Sequence, residues 1–105
     1  MKSFSDRVIE AVLTIPKGKV TTYGRLARAC GGGAMASQSI TTILAKAVKE
    51  KGVDIPFHRI VYADGHVWLD DKHKQKRLNL YKKEGIKLDT NNKIKDFADK
   101  LWEFL

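Results

Sequence analysis

The positions of glycine and proline constrain this chain more than any other feature, because they divide it into short segments that end at residues unfavourable to regular structure. The residues that end segments in this way are Pro16, Gly18, Gly31, Gly32, Gly33, Gly52, Pro56, Gly65 and Gly85. Most of the segments carry apolar residues at helical spacing, and one has the composition of a short hairpin. The sequence therefore predicts a small, mainly α protein with one β element.

The first two segments predict helices joined by a turn. Apolar residues recur at helical spacing after Ser5, which is placed to cap the first helix, and Pro16 stops it. A second helix, capped by Thr21 or Thr22, runs to the three consecutive glycines. Because glycine permits left-handed and open backbone, residues 31–36 are expected to form a flexible connection to the next helix.

A third helix and a hairpin follow this connection. The helix is predicted from Ser37 or Ser39 to about Lys51, with apolar residues on one face and lysines elsewhere. Two helices joined by a short connection, with a basic exposed side on the second, are the outline of a helix-turn-helix. Residues 59–69 predict a β-hairpin that turns at Asp64-Gly65, in the position of a wing.

The last two helices are predicted from charge and apolar spacing. A very basic helix spans residues 71–84 and is followed by Gly85 at the place of a C-terminal cap. A terminal helix carries an apolar stripe formed by Ile94, Phe97, Ala98, Leu101 and Leu105. Because 105 residues suit one core, residues 1–105 are predicted to form a single winged helix-turn-helix-like domain, mainly α, with a short β-hairpin wing.

Composition limits the functions open to the chain. A formal net charge of +8 favours a polyanionic partner, although many small basic proteins are simply soluble. The apolar stretches are too short to span a bilayer, and Asp6 and Glu10 interrupt the run that a signal peptide needs, so an intracellular, soluble protein of the cytoplasm and nucleoid or the nucleus is expected. With Cys30 as the single cysteine and no histidine pair at metal-ligand spacing, no disulfide, metal or cofactor is expected.

Two motifs and a downstream pair carry the most specific signal. Residues 15–24 read Ile-Pro-Lys-Gly-Lys-Val-Thr-Thr-Tyr-Gly, residues 55–61 read Ile-Pro-Phe-His-Arg-Ile-Val, and Glu84-Gly85 follows. Together they resemble the O6-alkylguanine-DNA alkyltransferases over about residues 4–88. In that family a cysteine in the second motif accepts the alkyl group, and Phe57 stands in its place here. The chain is thus similar to the alkyltransferase-like proteins, which carry another residue at that position and transfer nothing.

The resemblance implies a non-enzymatic protein that binds duplex DNA. Displacement at an alkyl carbon needs a soft nucleophile such as a thiolate, which phenylalanine does not supply, so no catalytic residue is expected. Members of the family engage the minor groove and rotate the damaged nucleotide out of the duplex. The implied function is recognition of O6-alkylguanine by nucleotide flipping without alkyl transfer, with another repair system as the downstream partner, and a monomer is expected.

The resemblance also implies residues of the DNA site. Tyr23, which follows Thr22, matches the tyrosine that presses on a backbone phosphate while the nucleotide rotates. Gln38, or Ser39 if the register moves by one, stands where the family has an arginine that fills the vacated gap. Phe57 is either an apolar wall of the base pocket or a filler of an abandoned active site.

Four further residues are expected around this site. His58 and Glu84 match a family pair and are interpreted as a structural polar pair that shapes the pocket, against the alternative of two unrelated polar residues. Arg59 is expected to hold the loop through a buried ion pair. Trp68 either contacts the DNA backbone or packs against the basic helix, and packing is favoured.

Two other functions remain open at the level of sequence. The missing arginine favours an interaction or regulatory module, or a nonspecific nucleic-acid binder, that uses the basic face of the same scaffold. An enzyme with Cys30 as a relocated alkyl acceptor is disfavoured because this cysteine lies outside both motifs. An intact mass measurement after incubation with alkylated DNA discriminates the last possibility from the others.

Overall fold

Short helices dominate the fold, together with two very short strands. The computed structural model describes residues 3–33 and 36–104. The helices and strands are α1 (Phe4–Leu13), β1 (Thr21–Thr22), α2 (Tyr23–Ala29), α3 (Ile40–Lys51), β2 (Ile60–Val61), α4 (Lys74–Lys83) and α5 (Phe97–Lys100). The 3₁₀ turns Ala36–Ser39 and Phe57–Arg59 precede α3 and β2. The predicted helix-rich class is confirmed, and in the described part of the chain no helix is long and apolar enough to cross a membrane.

The first helix starts at a different cap from the predicted one. The Ser3 hydroxyl accepts a hydrogen bond from the Asp6 amide at 3.2 Å, and the Asp6 carboxylate accepts one from the Ser3 amide at 3.3 Å. This reciprocal capping box requires an acceptor side chain three residues after the cap. Ser5 has Val8 at that position and lies inside α1, so its prediction as the cap is wrong.

The second and third helices are confirmed close to their predicted bounds. Thr22 caps α2 by accepting a hydrogen bond from the Arg25 amide at 3.1 Å. Ser39 occupies the N-cap position of α3 without a capping hydrogen bond from its side chain, because the 3₁₀ turn runs directly into the helix. Gly52 ends α3 in the left-handed conformation at φ 64°. Residues 34–35 of the expected flexible connection lie outside the described residues.

The basic helix is confirmed but begins later than predicted. The Asp70 carboxylate accepts a hydrogen bond from the His73 amide at 2.7 Å, which closes a turn over residues 71–73 before α4 starts. Its C-terminal end is followed by Gly85 at φ 72°, in the left-handed conformation that a helix C-terminus favours.

Residues 59–69 do not form the predicted two-stranded hairpin. A turn is present, with Gly65 at φ 87°, but β2 pairs in parallel with β1. The returning segment bonds instead with residues 92–94, and the Val67 amide donates to the Asn92 carbonyl at 2.9 Å. The hairpin prediction is wrong because both partners are distant in sequence, and turn composition reports only local pairing.

Extended chain replaces most of the predicted terminal helix. Only α5 is helical, and the backbone of Val20 then bonds on both sides with the segment around Leu101. The Val20 amide donates to the Lys100 carbonyl at 2.9 Å, and its carbonyl accepts from the Trp102 amide at 2.8 Å. This long-range backbone pairing overrides the helical stripe, whose last member, Leu105, lies outside the described residues.

Two clusters of buried apolar side chains meet at the short sheet. The first cluster contains Val8, Val12, Leu26, Ala27, Cys30, Ile40, Leu44, Ile55 and Ile60. The second contains Val20, Val61, Val67, Tyr81, Ile86 and Ile94. Because side chains alternate along a strand, the two residues of β2 point into different clusters. The 57–59 turn just before β2 is therefore held where the clusters meet.

Core packing of α3 yields a stability prediction. Leu44 is fully buried in the first cluster, whereas Val48, one turn later on α3, is 40% exposed. Leu44→Ala is expected to lower the free energy of unfolding by about 2–5 kcal/mol, because it removes buried methyl groups and leaves a cavity. Val48→Ala serves as the control and should change it by less than about 1 kcal/mol. Equal losses in urea unfolding experiments would contradict this placement of α3.

Candidate functional site

The Glu84 carboxylate, just after α4, connects three parts of the chain. It accepts a hydrogen bond from the Gly18 amide at 3.0 Å and two from the Arg59 guanidinium, at 3.1 and 3.0 Å. The His58 Nε2 atom lies 2.5 Å from the same carboxylate. Arg59 also donates to the Ile15 carbonyl at 2.8 Å, so both sequence motifs are fastened to the end of α4. We call these residues, Gly18, His58, Arg59 and Glu84, the Glu84 network.

The charges in this network balance within a nearly dry environment. The side chains of Glu84 and Arg59 are 5% and 15% exposed. Burial opposes ionisation of Glu84, but the hydrogen bonds from Arg59, Gly18 and His58 outweigh it and lower the pKa of Glu84 to about 2. Burial lowers the pKa of His58 and outweighs its bond with Glu84, which acts in the opposite direction. His58 is therefore neutral at physiological pH and donates its Nε2 proton to a carboxylate already paired with Arg59.

Tyr81 holds His58 from its other side. The Tyr81 hydroxyl donates to the His58 carbonyl at 2.6 Å, and the two rings meet edge to face at 5.8 Å. Burial raises the pKa of Tyr81, so the hydroxyl stays protonated and remains a donor. The predicted structural pair of His58 and Glu84 is thus observed, with Tyr81 as a partner that the sequence did not single out.

Tyr23 occupies the first position of α2, directly after the Thr22 cap. Its ring lies 5.8 Å from that of Tyr62, tilted by 41°, and Tyr62 is 47% exposed. Burial raises the pKa of Tyr23, against a hydrogen bond with Thr41 in the first turn of α3. Tyr23 therefore stands where α2, α3 and the segment after β2 come together. Thr22 fixes the start of α2 with its hydroxyl, and only 6% of the residue is exposed.

Trp68 packs against a side chain of α4, as favoured from the sequence. The Arg77 guanidinium lies 5.1 Å from the centre of the Trp68 ring, and Arg77 donates to the Trp68 carbonyl at 3.2 Å. The same charge also acts on the ionisation of Tyr23 and His58. Sequence reasoning treated Arg77 as one of several cations on a basic helix. Its position one turn before the buried Tyr81 was the available signal that it points inward.

The other expected residues occupy two separate settings. Phe57 begins the 57–59 turn and packs, partly buried, against the first cluster, which Tyr23 also contacts. Gln38 and Ser39 lie exposed on the 3₁₀ turn before α3, and this turn packs against α2. The structure therefore brings Tyr23 and Phe57 together at the first cluster. It packs the turn that carries Gln38 against α2, the helix that begins at Tyr23.

Cys30 lies at the opposite end of α2 from Tyr23. It is 4% exposed at the C-cap position, in the first cluster. Burial raises the pKa of its thiol, against the opposing charge of Arg7. Seven helical residues separate it from the start of α2, a distance of about 10 Å along the axis. Within residues 3–33 and 36–104, no group of three or more His, Cys, Asp or Glu side chains is arranged to hold a metal ion.

Comparison with known proteins identifies relatives of this fold and site. The family model for the DNA binding domain of 6-O-methylguanine DNA methyltransferase matches residues 3–86. The chain is 30% identical over 102 residues to the DNA base-flipping protein of Escherichia coli (strain K12), and this alignment covers 97% of the chain and 76% of that protein. It is 30% identical over 92 residues to Alkyltransferase-like protein 1 of Schizosaccharomyces pombe, covering 84% and 81%.

A solved structure extends this similarity to three dimensions. The crystal structure of S. pombe Atl1 in complex with damaged DNA containing O6-carboxymethylguanine superposes with a TM-score of 0.71 and 27% identity, over 98% of this chain and 99% of that one. The chain belongs to the family of the 6-O-methylguanine DNA methyltransferase DNA-binding domain. Within that family it is an alkyltransferase-like protein.

The depressed pKa of Glu84 predicts how stability depends on pH. An unfolded chain protonates this carboxyl near its ordinary pKa of 4.5, whereas the folded protein protonates it near 2. The network thus contributes stability that is fully present above about pH 4.5 and lost as the pH falls toward 2, about 3 kcal/mol in total. Urea unfolding of the wild type and of Glu84→Gln between about pH 4.5 and pH 2 checks this prediction. The free energy of unfolding of the variant should fall far less on acidification than that of the wild type.

A surface acid provides the control for this experiment. Asp64 also has a lowered pKa, through hydrogen bonds from His66, but its side chain is 54% exposed. Asp64→Asn should leave the acid dependence of the wild type nearly unchanged, because exposed pairs contribute little. If Glu84→Gln retained the full acid dependence, the network would not be its origin.

Proposed function

We propose that this protein binds duplex DNA and recognises O6-alkylguanine by rotating the nucleotide out of the helix, without transferring the alkyl group. The observation that carries this proposal is the match along nearly the whole chain to a structure of Atl1 in complex with damaged DNA. The names of the relatives support it, since they include a DNA base-flipping protein. The net charge of +8 suits a polyanionic ligand.

Tyr23 is the residue proposed to drive rotation. Its ring is held between Tyr62 and the start of α3, at the first position of a capped helix. A rigid aromatic ring in this position presses on a backbone phosphate when α3 enters the minor groove. Extrusion of a base costs a few kcal/mol, and less when damage has already weakened its pairing, so the push favours damaged nucleotides.

The gap left by the rotated base is assigned to the turn before α3. Gln38 is exposed there and carries an amide that hydrogen-bonds the orphaned base, with Ser39 as the alternative in the shifted register. Neither side chain has the planar cation of an arginine, so we expect modest affinity for the lesion. In this proposal, α2, the 36–39 turn and α3 act as the helix-turn-helix, and residues 62–69 act as the wing.

The pocket for the rotated base is proposed to lie beside the 57–59 turn. Phe57 supplies an apolar wall, and Arg77 with Trp68 supplies a cation and a ring at the neighbouring edge. The Glu84 network holds this turn rigid without contacting the base. No thiol faces the pocket, since Phe57 stands at the acceptor position and Cys30 is buried at the far end of α2. In this proposal the protein is an intracellular, single-domain monomer that marks the lesion for another repair system.

The missing arginine supports a second candidate. In this alternative the scaffold binds nucleic acid through charge alone, or uses its basic face for a regulatory partner. It predicts equal binding to damaged and undamaged duplexes. The two candidates therefore differ in one measurable quantity, the ratio of the two affinities.

Fluorescence anisotropy at physiological salt tests lesion recognition. We expect the wild type to prefer a duplex with O6-methylguanine over the matched guanine duplex by on the order of tenfold, about 1.4 kcal/mol. Tyr23→Ala should bind both duplexes equally, because it removes the ring that drives rotation. Leu13→Ala, at a 50% exposed position of α1, is the control and should keep the preference. Equal binding by the wild type would favour the charge-only alternative.

Intact mass measurement tests the absence of transfer. After incubation with DNA that contains O6-methylguanine, the mass of the protein should be unchanged, because its one thiol is buried and has a raised pKa. A gain of one methyl group on Cys30 would overturn the assignment as a non-enzyme. An active alkyltransferase treated in parallel confirms that the DNA is a competent donor.

A further inference from the structure

The outward face of α4 carries positive charge that the proposed lesion site does not use. The helix contains Lys74, Lys76, Arg77, Lys82 and Lys83, and it contains no acidic residue. Arg77 and Tyr81 turn inward, whereas the four lysines are exposed. Helical spacing aligns Lys76, Asn79 and Lys83 on one stripe, at positions i, i+3 and i+7. We call these three residues, with the exposed Lys72 just before the helix, the α4 stripe.

These charges have no acidic partners in the described part of the chain. The ion pairs of residues 3–33 and 36–104 involve Arg25, Lys51, Arg59, Lys93 and three histidines, and none involves a lysine of the α4 stripe. Of the acids nearest in sequence, Asp70 pairs with His73 and Glu84 with Arg59, and the exposed Asp71 forms no ion pair with the adjacent Lys72. The three lysines of the stripe are therefore exposed to solvent without an ion pair among the described residues.

Lys82 and Lys83 lie in the last turn, where a cation favours the helix dipole, but helix stability does not explain the charges at the start of α4. Lys74 opens α4, Lys72 and His73 precede it, and the first turn contains no acid. Positive charge near a helix N-terminus opposes the helix dipole and costs stability. Like charges along one face add repulsion that no acidic residue of the helix offsets. Binding of an anion would relieve both effects.

The stripe is separate from the surface proposed to engage the lesion. α3 contributes its buried residues Ile40 and Leu44 to the first cluster, whereas α4 contributes Tyr81 to the second. The molecule is 42 Å long and 22 Å across its shortest axis. Arg77, which borders the proposed pocket, lies on the inward side of α4, whereas the α4 stripe lies on its exposed side. DNA contacts through α3 therefore leave the α4 stripe unassigned.

We propose that the α4 stripe is a second DNA-binding surface, which contacts the phosphate backbone of duplex DNA whether or not it is damaged. Lysine and asparagine side chains are typical phosphate contacts. Protein interfaces are instead depleted in lysine and enriched in aromatic anchors, and the large exposed apolar side chains of the described residues lie outside α4. This chemistry selects nucleic acid over an acidic protein. The proposal rests on the proposed function only for the identity of the polymer.

The salt dependence of binding to undamaged DNA tests the α4 stripe. The probe is a fluorescent, undamaged DNA duplex that is longer than the 42 Å length of the protein. The test variant is Lys76→Gln/Lys83→Gln, and the matched control is Lys87→Gln/Lys95→Gln, which removes the same charge at exposed positions outside α4. The slope of log affinity against log salt should become shallower by about 2 units in the test variant, since each lost phosphate contact removes about 0.9. The control should keep the wild-type slope, and circular dichroism checks that both variants fold.

The outcomes separate this proposal from lesion recognition. An unchanged slope in the test variant overturns the α4 stripe as a DNA surface. An equal loss in the control also overturns it, because total charge would then explain the effect. The ratio of affinities for O6-methylguanine and guanine duplexes should be the same in the test variant and the wild type, because phosphate contacts are common to both. A wild type without lesion preference would refute the proposed function while leaving the slope measurement valid.

Discussion

The buried carboxylate of Glu84 is the constraint on which the rest of the structure depends. It binds the turn of the first motif through Gly18 and the second motif through His58 and Arg59, and it stands at the end of α4. A buried charge that loses its partner is costly, of the order of 3–5 kcal/mol, so these segments are stable only when they are together. The network therefore sets the relative position of the elements that carry Tyr23, Phe57 and Arg77.

The two clusters of apolar side chains determine where this network can form. β1 and β2 pair over only two residues each, but the alternation of Ile60 and Val61 sends one side chain into each cluster. The preceding turn is then held by packing through Phe57 on one side and by the Tyr81 hydrogen bond on the other. Packing on one side and a hydrogen bond on the other therefore hold the turn and Phe57 in one arrangement.

Local signals in the sequence predicted the local parts of this fold. The Thr22 cap, the Gly52 stop and the amphipathic face of α3 act over a few residues, and all three are observed. The hairpin and the terminal helix were wrong because the partners of Val67 and Val20 lie about 25 and 80 residues away, beyond any periodic pattern. In the site, the motif resemblance anticipated the pair of His58 and Glu84 and a buried ion pair of Arg59, but it did not name Glu84 as the partner of Arg59. The inward roles of Tyr81 and Arg77 were missed because their composition matches that of the exposed residues around them.

The Glu84 network also limits what the second motif reveals about function. In this chain His58 and Arg59 satisfy a buried carboxylate, and the fold needs them for that reason whether or not a nucleophile lies beside them. Their presence next to Phe57 is therefore a consequence of folding and does not indicate chemistry. The features that the fold does not require are the half-buried Tyr23 at the start of α2 and the unpaired lysines of α4, of which Lys74 opposes the dipole of its own helix. Because folding alone does not explain them, these are the two surfaces that we propose contact DNA.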